Sequence, residues 1–215
     1  MLQNSYFCEN TFVMTRIFII SALFLFYSVQ AQECSRESAE AYQQQLNSEY
    51  ADPAQSPLMP SDLKEFTSLD FYPIDMEYCV EARFVRTPDE KSFGMQTTTS
   101  RKPEYVKFGE VHFELKGKQC KLDIFQNIEL VKQEEYKNHL FLPFTDLTSG
   151  EGSYAGGRYI DLEQPQGDTI IIDFNKSYNP YCVYNYKYSC PIPPAQNDLD
   201  VEVKAGVMMY SKKKK

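Results

Sequence analysis

Residues 178–190, YNPYCVYNYKYSC, place two thiols, Cys182 and Cys190, among five tyrosines and two asparagines. Such a pair has three chemical uses: a disulfide, two ligands of a metal ion, or a nucleophile with a second thiol behind it. A zinc site takes four ligands, usually as two close pairs. Here seven residues separate the cysteines, and only His112 and His139 could add imidazoles; no metal is expected. A thiol nucleophile takes an adjacent base and a depressed pKa, and no histidine stands in the segment. In an oxidising compartment an accessible pair closes. A Cys182–Cys190 disulfide is therefore expected, contributing about 2–3 kcal/mol through loop closure.

A second constellation begins in FTDLTSGEGSYAGGRY, with Asp146, Thr148, Ser149 and glycines at 150, 152, 156 and 157. Glycines let backbone N–H groups approach an anion. The stretch is nevertheless no phosphate loop, since it lacks the Gly-Lys-Ser/Thr ending. Read as a hairpin with residues 164–167 as the loop, RYIDLEQPQGDTIIIDF sets Glu163 against Asp168, Ile160 against Ile171 and Arg158 against Asp173. One guanidinium then faces one acid on an otherwise apolar surface, and buried charges require partners. The plain reading is a structural ion pair. The sharper one is an anion-binding Arg158 held by Asp173, in a pocket that adds Asp146, Thr148, Asn175, Asn179 and Tyr181 and is walled by tyrosines of residues 178–188. The favoured function is binding of a small anionic molecule without a cofactor. The rivals are a hydrolase or thiol enzyme, with Asp146 and Asp173 dividing acid and base roles or Cys182 attacking, and a structural envelope protein.

The elements that must position these residues follow from periodicity. Residues 35–50 contain good helix formers without Gly or Pro, and Ala39, Tyr42 and Leu46 fall at helical spacing. Pro53, Pro57 and Pro60 break the chain, and SDLKEF supplies another turn or two from Ser61. After Phe71, β-branched and aromatic residues alternate with polar ones and turns recur every eight to twelve residues, which predicts an all-β, mainly antiparallel sandwich or barrel. In EVHFELKGKQCKLDIF a Gly117-Lys118 turn pairs Leu115 with Cys120, Phe113 with Leu122 and Val111 with Ile124, and puts Glu114 and Lys121 on the polar face. Cys120 then shares the face of Leu122 and Ile124. Cys79 falls opposite Val80, Ala82 and Phe84, which argues against a Cys79–Cys120 bond, and Cys34 has no evident partner. The chain divides into a helical and Pro-containing leader (32–70), one β domain (71–210) and a basic tail (211–215).

The amino-terminal segment MTRIFIISALFLFYSVQAQ has a basic residue, an apolar run and a small-residue ending at Ala31. That is the layout of a secretory signal over residues 1–31, with translation starting at Met14. The run is short for a membrane anchor, so no transmembrane segment is expected after its removal. A lipid on Cys34 is a lesser alternative. The expected location is periplasmic or secreted. The chain carries a formal charge of −8, and residues 1–31 hold one charge of each sign, so the mature part is equally acidic. Nucleic acid is excluded as a partner on that ground, because affinity for it comes from Lys and Arg neutralising phosphates.

Two blocks, LFLPFTDLTSGEGSYAGGRYIDLE and DFNKSYNPYCVYNYKYSCPIPPAQNDLDVEVKAGV, together with TTTSR at residues 97–101, resemble the bacterial DUF1684 family, a domain of unknown function. The resemblance runs from about residue 60 to 207, and Ala155 departs from it where further glycine is common. It implies a shared site among Asp146, Arg158, Asp173, Asn175 and Asn179 and names no substrate. It also implies relatives without export signals, in which the cysteines would be reduced.

Overall fold

The computed structural model describes residues 34–211. The signal segment, the Met14 start and the lysines at 212–215 lie outside the described residues.

The first helix, α1 (Arg36–Ala51), starts where Ser35 stays extended and its Oγ accepts the N–H of Ser38 at 3.0 Å, satisfying one of the amide groups a helix leaves open. It stops at Asp52, held extended before Pro53 as the proline ring requires. Ala39, Leu46 and Tyr50 are its buried face. A single turn, α2 (Pro60–Leu63), follows.

Eight strands come next: β1 (Cys79–Arg86), β2 (Phe93–Gly94), β3 (Glu104–Leu115), β4 (Lys118–Asn127), β5 (His139–Asp146), β6 (Arg158–Glu163), β7 (Thr169–Asp173) and β8 (Asp198–Leu199). Their order is β6-β5-β4-β3-β1-β7, with β2 on β3 and β8 parallel to β5. The all-β expectation is met by one mostly antiparallel sheet curled into a half-barrel.

The main core is drawn from alternate residues of successive strands: Ala82 and Phe84, Val111 and Phe113, Leu122 and Ile124, Leu140 and Leu142, Ile160 and Leu162, Ile170 and Ile172. Two-residue periodicity puts each set on one face. The carboxy-terminal stretch closes over that face with its own alternation, Val201, Val203 and Ala205 all being buried. A bulge at Phe108, between Lys107 and Gly109, reverses the parity of β3. Tyr105 therefore leaves the main core and joins Phe125, Phe141 and Tyr159 in a smaller cluster built from the other parity of β4, β5 and β6.

The β3–β4 hairpin corrects the expected register. Its turn is Lys116-Gly117, both in the left-handed region (φ 51° and 77°), as a two-residue turn matched to strand twist needs. Leu115 pairs with Lys118 and Val111 with Leu122. The pairing is offset by two residues from the expected one, and an even offset leaves every side chain on its predicted face.

The hairpin expected from residues 158–173 does not form. β6 pairs with β5, setting Arg158 against Phe144, and β7 pairs with β1, setting Asp173 against Cys79. The two strands are the opposite edges of the curled sheet, and residues 164–168 cross between them.

The disulfide expectation is corrected as well. Cys34 is bonded to Cys79, while Cys182 and Cys190 are free thiols. Cys79 does point away from the Ala82–Phe84 face, and this is the side on which α1 is anchored. Arg36 donates to the Ile74 carbonyl at 3.0 Å, Lys176 to the Ser38 hydroxyl at 2.7 Å and Gln43 to the Asn175 carbonyl at 3.2 Å. Those contacts bring Cys34, two residues before the helix, to the start of β1.

Candidate functional site

Arg158 is fully buried, and its carboxylate partner is Asp146, at 3.1 Å, not Asp173. Its two terminal nitrogens also donate to the carbonyls of Val203 (2.8 Å), Ala205 (2.5 Å) and Val207 (3.3 Å) and to the Thr148 hydroxyl at 3.4 Å. Asp146 is equally enclosed. It accepts the N–H groups of Thr148 at 3.0 Å and Val203 at 2.8 Å, and the Ser149 hydroxyl at 3.4 Å. Burial lowers the Arg158 pKa and Asp146 opposes that shift; a guanidinium stays charged under such conditions. The cluster ties the 201–207 stretch across the core. The glycine loop serves close packing: a Cβ on Gly157 would lie 2.5 Å from the Phe144 carbonyl oxygen and 2.7 Å from Pro193.

The remaining candidates disperse. Asp173 caps the short turn Phe174–Lys176, its Oδ1 accepting the Asn175 backbone N–H at 3.0 Å and side-chain amide at 2.9 Å. Asn175 clamps Asp75 through that residue's N–H and C=O. Asn179 donates to the Tyr184 hydroxyl at 3.2 Å and the Met208 carbonyl at 3.0 Å. Among the described residues Asp146 and Asp173 share no hydrogen-bond partner, Asp146 being engaged by Arg158 and Asp173 by Asn175. Tyr181, 41% exposed, borders a cavity, as does Cys190.

That cavity, of about 520 Å³, lies on the sheet face opposite the main core. Its floor is Tyr105, Phe141 and Tyr159 from β3, β5 and β6. One wall is the α1 side bearing Tyr42 and Glu49. The other is residues 178–191, which supply Tyr178, Tyr181, Tyr188 and Cys190. The volume and the aromatic lining fall in the range of small-molecule sites. Neighbouring rings meet edge to face, Phe141 with Tyr159 at 4.8 Å and Tyr159 with Tyr178 at 5.8 Å, the arrangement favoured by aromatic quadrupoles.

Three polar side chains converge at one side of the cavity. His139 Nε2 lies 2.9 Å from Asp161 Oδ1, and the Tyr178 hydroxyl donates to Asp161 Oδ2 at 2.7 Å. Tyr159 donates to the Pro191 carbonyl, fastening the wall to the floor. Burial first, and then the charges of Asp161 and Glu49, push the Tyr42 and Tyr181 hydroxyls above their ordinary range, and Tyr178 is raised by burial and Asp161. These phenols remain neutral donors, and the carboxylate field reaches across the cavity.

The family model described as "Protein of unknown function (DUF1684)" matches residues 64–208. The chain belongs to this family. Among solved structures, the DUF1684 chain is similar to the solution NMR structure of an uncharacterized protein from Haloarcula marismortui, with 31% identity and a TM-score of 0.63, covering 80% of this chain and 92% of that one. That organism is an archaeon. No curated protein matches the chain. None of the described helices is long and apolar enough to cross a membrane, and no metal-ligand cluster occurs among the described residues.

Sequence reading missed His139, Asp161, Tyr105 and Tyr159 as pocket residues. Their signal was faint: tyrosines standing on the side of each strand that simple alternation assigns to solvent. Only the cover supplied by α1 and residues 178–191 turns that side into a second buried surface.

Proposed function

We propose that this DUF1684 chain is an exported binding module for a small organic cation, held in the tyrosine-lined cavity. The observation that carries this is the lining. It holds Glu49 and Asp161 and neither Lys nor Arg, with His139 as its only ionisable side-chain nitrogen. Ring faces attract cations, by about 0.5–2 kcal/mol each depending on desolvation, and a carboxylate at the rim adds to the attraction. An anion meets the opposite field, and the expected anion-binding Arg158 has its terminal nitrogens committed to protein oxygens. Export is supported by the apolar segment ending at Ala31 and by the Cys34–Cys79 disulfide, since such bonds persist in oxidising compartments.

The test uses benzyltrimethylammonium and benzoate as matched probes of opposite charge. The chain has 16 tyrosines and no tryptophan, so tyrosine emission follows binding. The cation should bind in the millimolar range or tighter, and Asp161→Asn should weaken it about tenfold, equivalent to about 1.4 kcal/mol. Benzoate binding as well as the cation, or neither probe binding, overturns the reading.

A further inference from the structure

We propose that Cys182 and Cys190 are a redox-active dithiol that exchanges with external disulfides, Cys182 attacking and Cys190 resolving. The fold holds both sulfurs at one place. The turn Tyr181–Val183 presents the Cys182 N–H to Cys190 Sγ at 3.1 Å. Cys190 is fixed from the other side by Thr98, whose hydroxyl accepts the Cys190 N–H at 3.1 Å and whose N–H donates to the Cys190 carbonyl at 2.9 Å. The two thiols differ in access, Cys182 being half-buried and Cys190 only 6% exposed. An accessible attacking sulfur with a sheltered second one is the division of labour that exchange requires.

The electrostatics agree with this geometry. The pair gives up its first proton below the ordinary thiol range and its second far above it, because the Cys190 thiol donates its hydrogen bond to the Cys182 thiolate. The charge is shared, and the more exposed Cys182 carries it to an incoming disulfide, with the Thr98 and Tyr154 hydroxyls also hydrogen-bonding to its sulfur. The same chain contains one closed bond, Cys34–Cys79, while Cys182 and Cys190 are free thiols.

The step balances as follows. The Cys182 thiolate attacks one sulfur of a low-molecular-weight disulfide, RSSR; that S–S bond breaks and RS⁻ leaves, taking a proton from water. Cys190 then releases its proton to water and attacks Cys182 Sγ in the mixed disulfide, expelling the second RS⁻, which is protonated in turn. Two protein thiols lose two electrons and one external disulfide becomes two thiols.

The full chain, equilibrated in mixtures of reduced and oxidised glutathione and acid-trapped, reports the state of each cysteine by peptide mass spectrometry. The Cys182–Cys190 bond should form and reopen reversibly in the folded protein while Cys34–Cys79 persists. Cys190→Ser should accumulate one glutathione on Cys182, and Cys182→Ser should accumulate far less on Cys190. The proposal is overturned if the wild-type pair stays reduced in oxidised glutathione, if its bond once formed resists dithiothreitol without denaturant, or if the two serine variants take up glutathione equally. The wild-type titration stands whether or not either variant folds.

Discussion

Arg158 and Asp146 face each other at 3.1 Å with side chains 0% and 1% exposed, and between them they fasten the carboxy-terminal stretch at Val203, Ala205 and Val207. Two charges so deep in the protein are tolerated because nearly every lone pair and N–H they present is used. Arg158→Ala removes one charge and strands the other. It should cost about 3–5 kcal/mol, read as a lower urea midpoint, whereas the cavity's affinity for a cation at a temperature where the variant is folded should be unchanged.

The Cys34–Cys79 bond spans 45 residues of sequence, a loop that includes α1. On the chain-entropy account closing it contributes about 4 kcal/mol. The double variant Cys34→Ser/Cys79→Ser should unfold at lower denaturant by up to that amount. Its amide exchange should rise first in α1, which loses a covalent tie and is then held by the apolar packing of Leu46 and Tyr50 and by polar contacts that include those to the 174–176 turn.

Glu110 sits between Lys107 (2.5 Å) and Lys121 (3.3 Å). The hydrogen bond from Lys107, followed by that from Lys121 and the two charges, holds its carboxyl at about 2 against an ordinary 4.5, with burial opposing. A carboxylate lowered in the folded state contributes stability that is complete above the unfolded pKa and is lost as pH falls through the folded one. The difference in urea midpoint between wild type and Glu110→Gln should be largest above pH 4.5 and shrink toward pH 2. A difference that stays constant over this window would refute the assignment.

Gly157 has φ +87° and no space for a Cβ, whereas Gly167 has nothing within 4 Å of that position and no left-handed strain. Gly157→Ala should destabilise by roughly 2–4 kcal/mol. Gly167→Ala should be neutral or stabilising by up to about 1 kcal/mol. Thermal melts of the two variants side by side check both statements.

Local pattern alone determined the helix at residues 35–50, the all-β body after Phe71 and the core-facing parity of Val111, Phe113, Leu122 and Ile124. Helical and strand periods are written into consecutive residues, and a face survives any even slip of register, as the β3–β4 hairpin demonstrates. Tertiary structure decided which strands meet. Nothing within residues 158–173 shows that β6 and β7 belong to opposite edges, because the energy that separates them lies in β5 and β1. The partner of Arg158, the Cys34–Cys79 bond and the tyrosine cavity all depend on that long-range choice. Each joins residues distant in sequence through surfaces that exist only once the sheet has curled and α1 has docked on its far side.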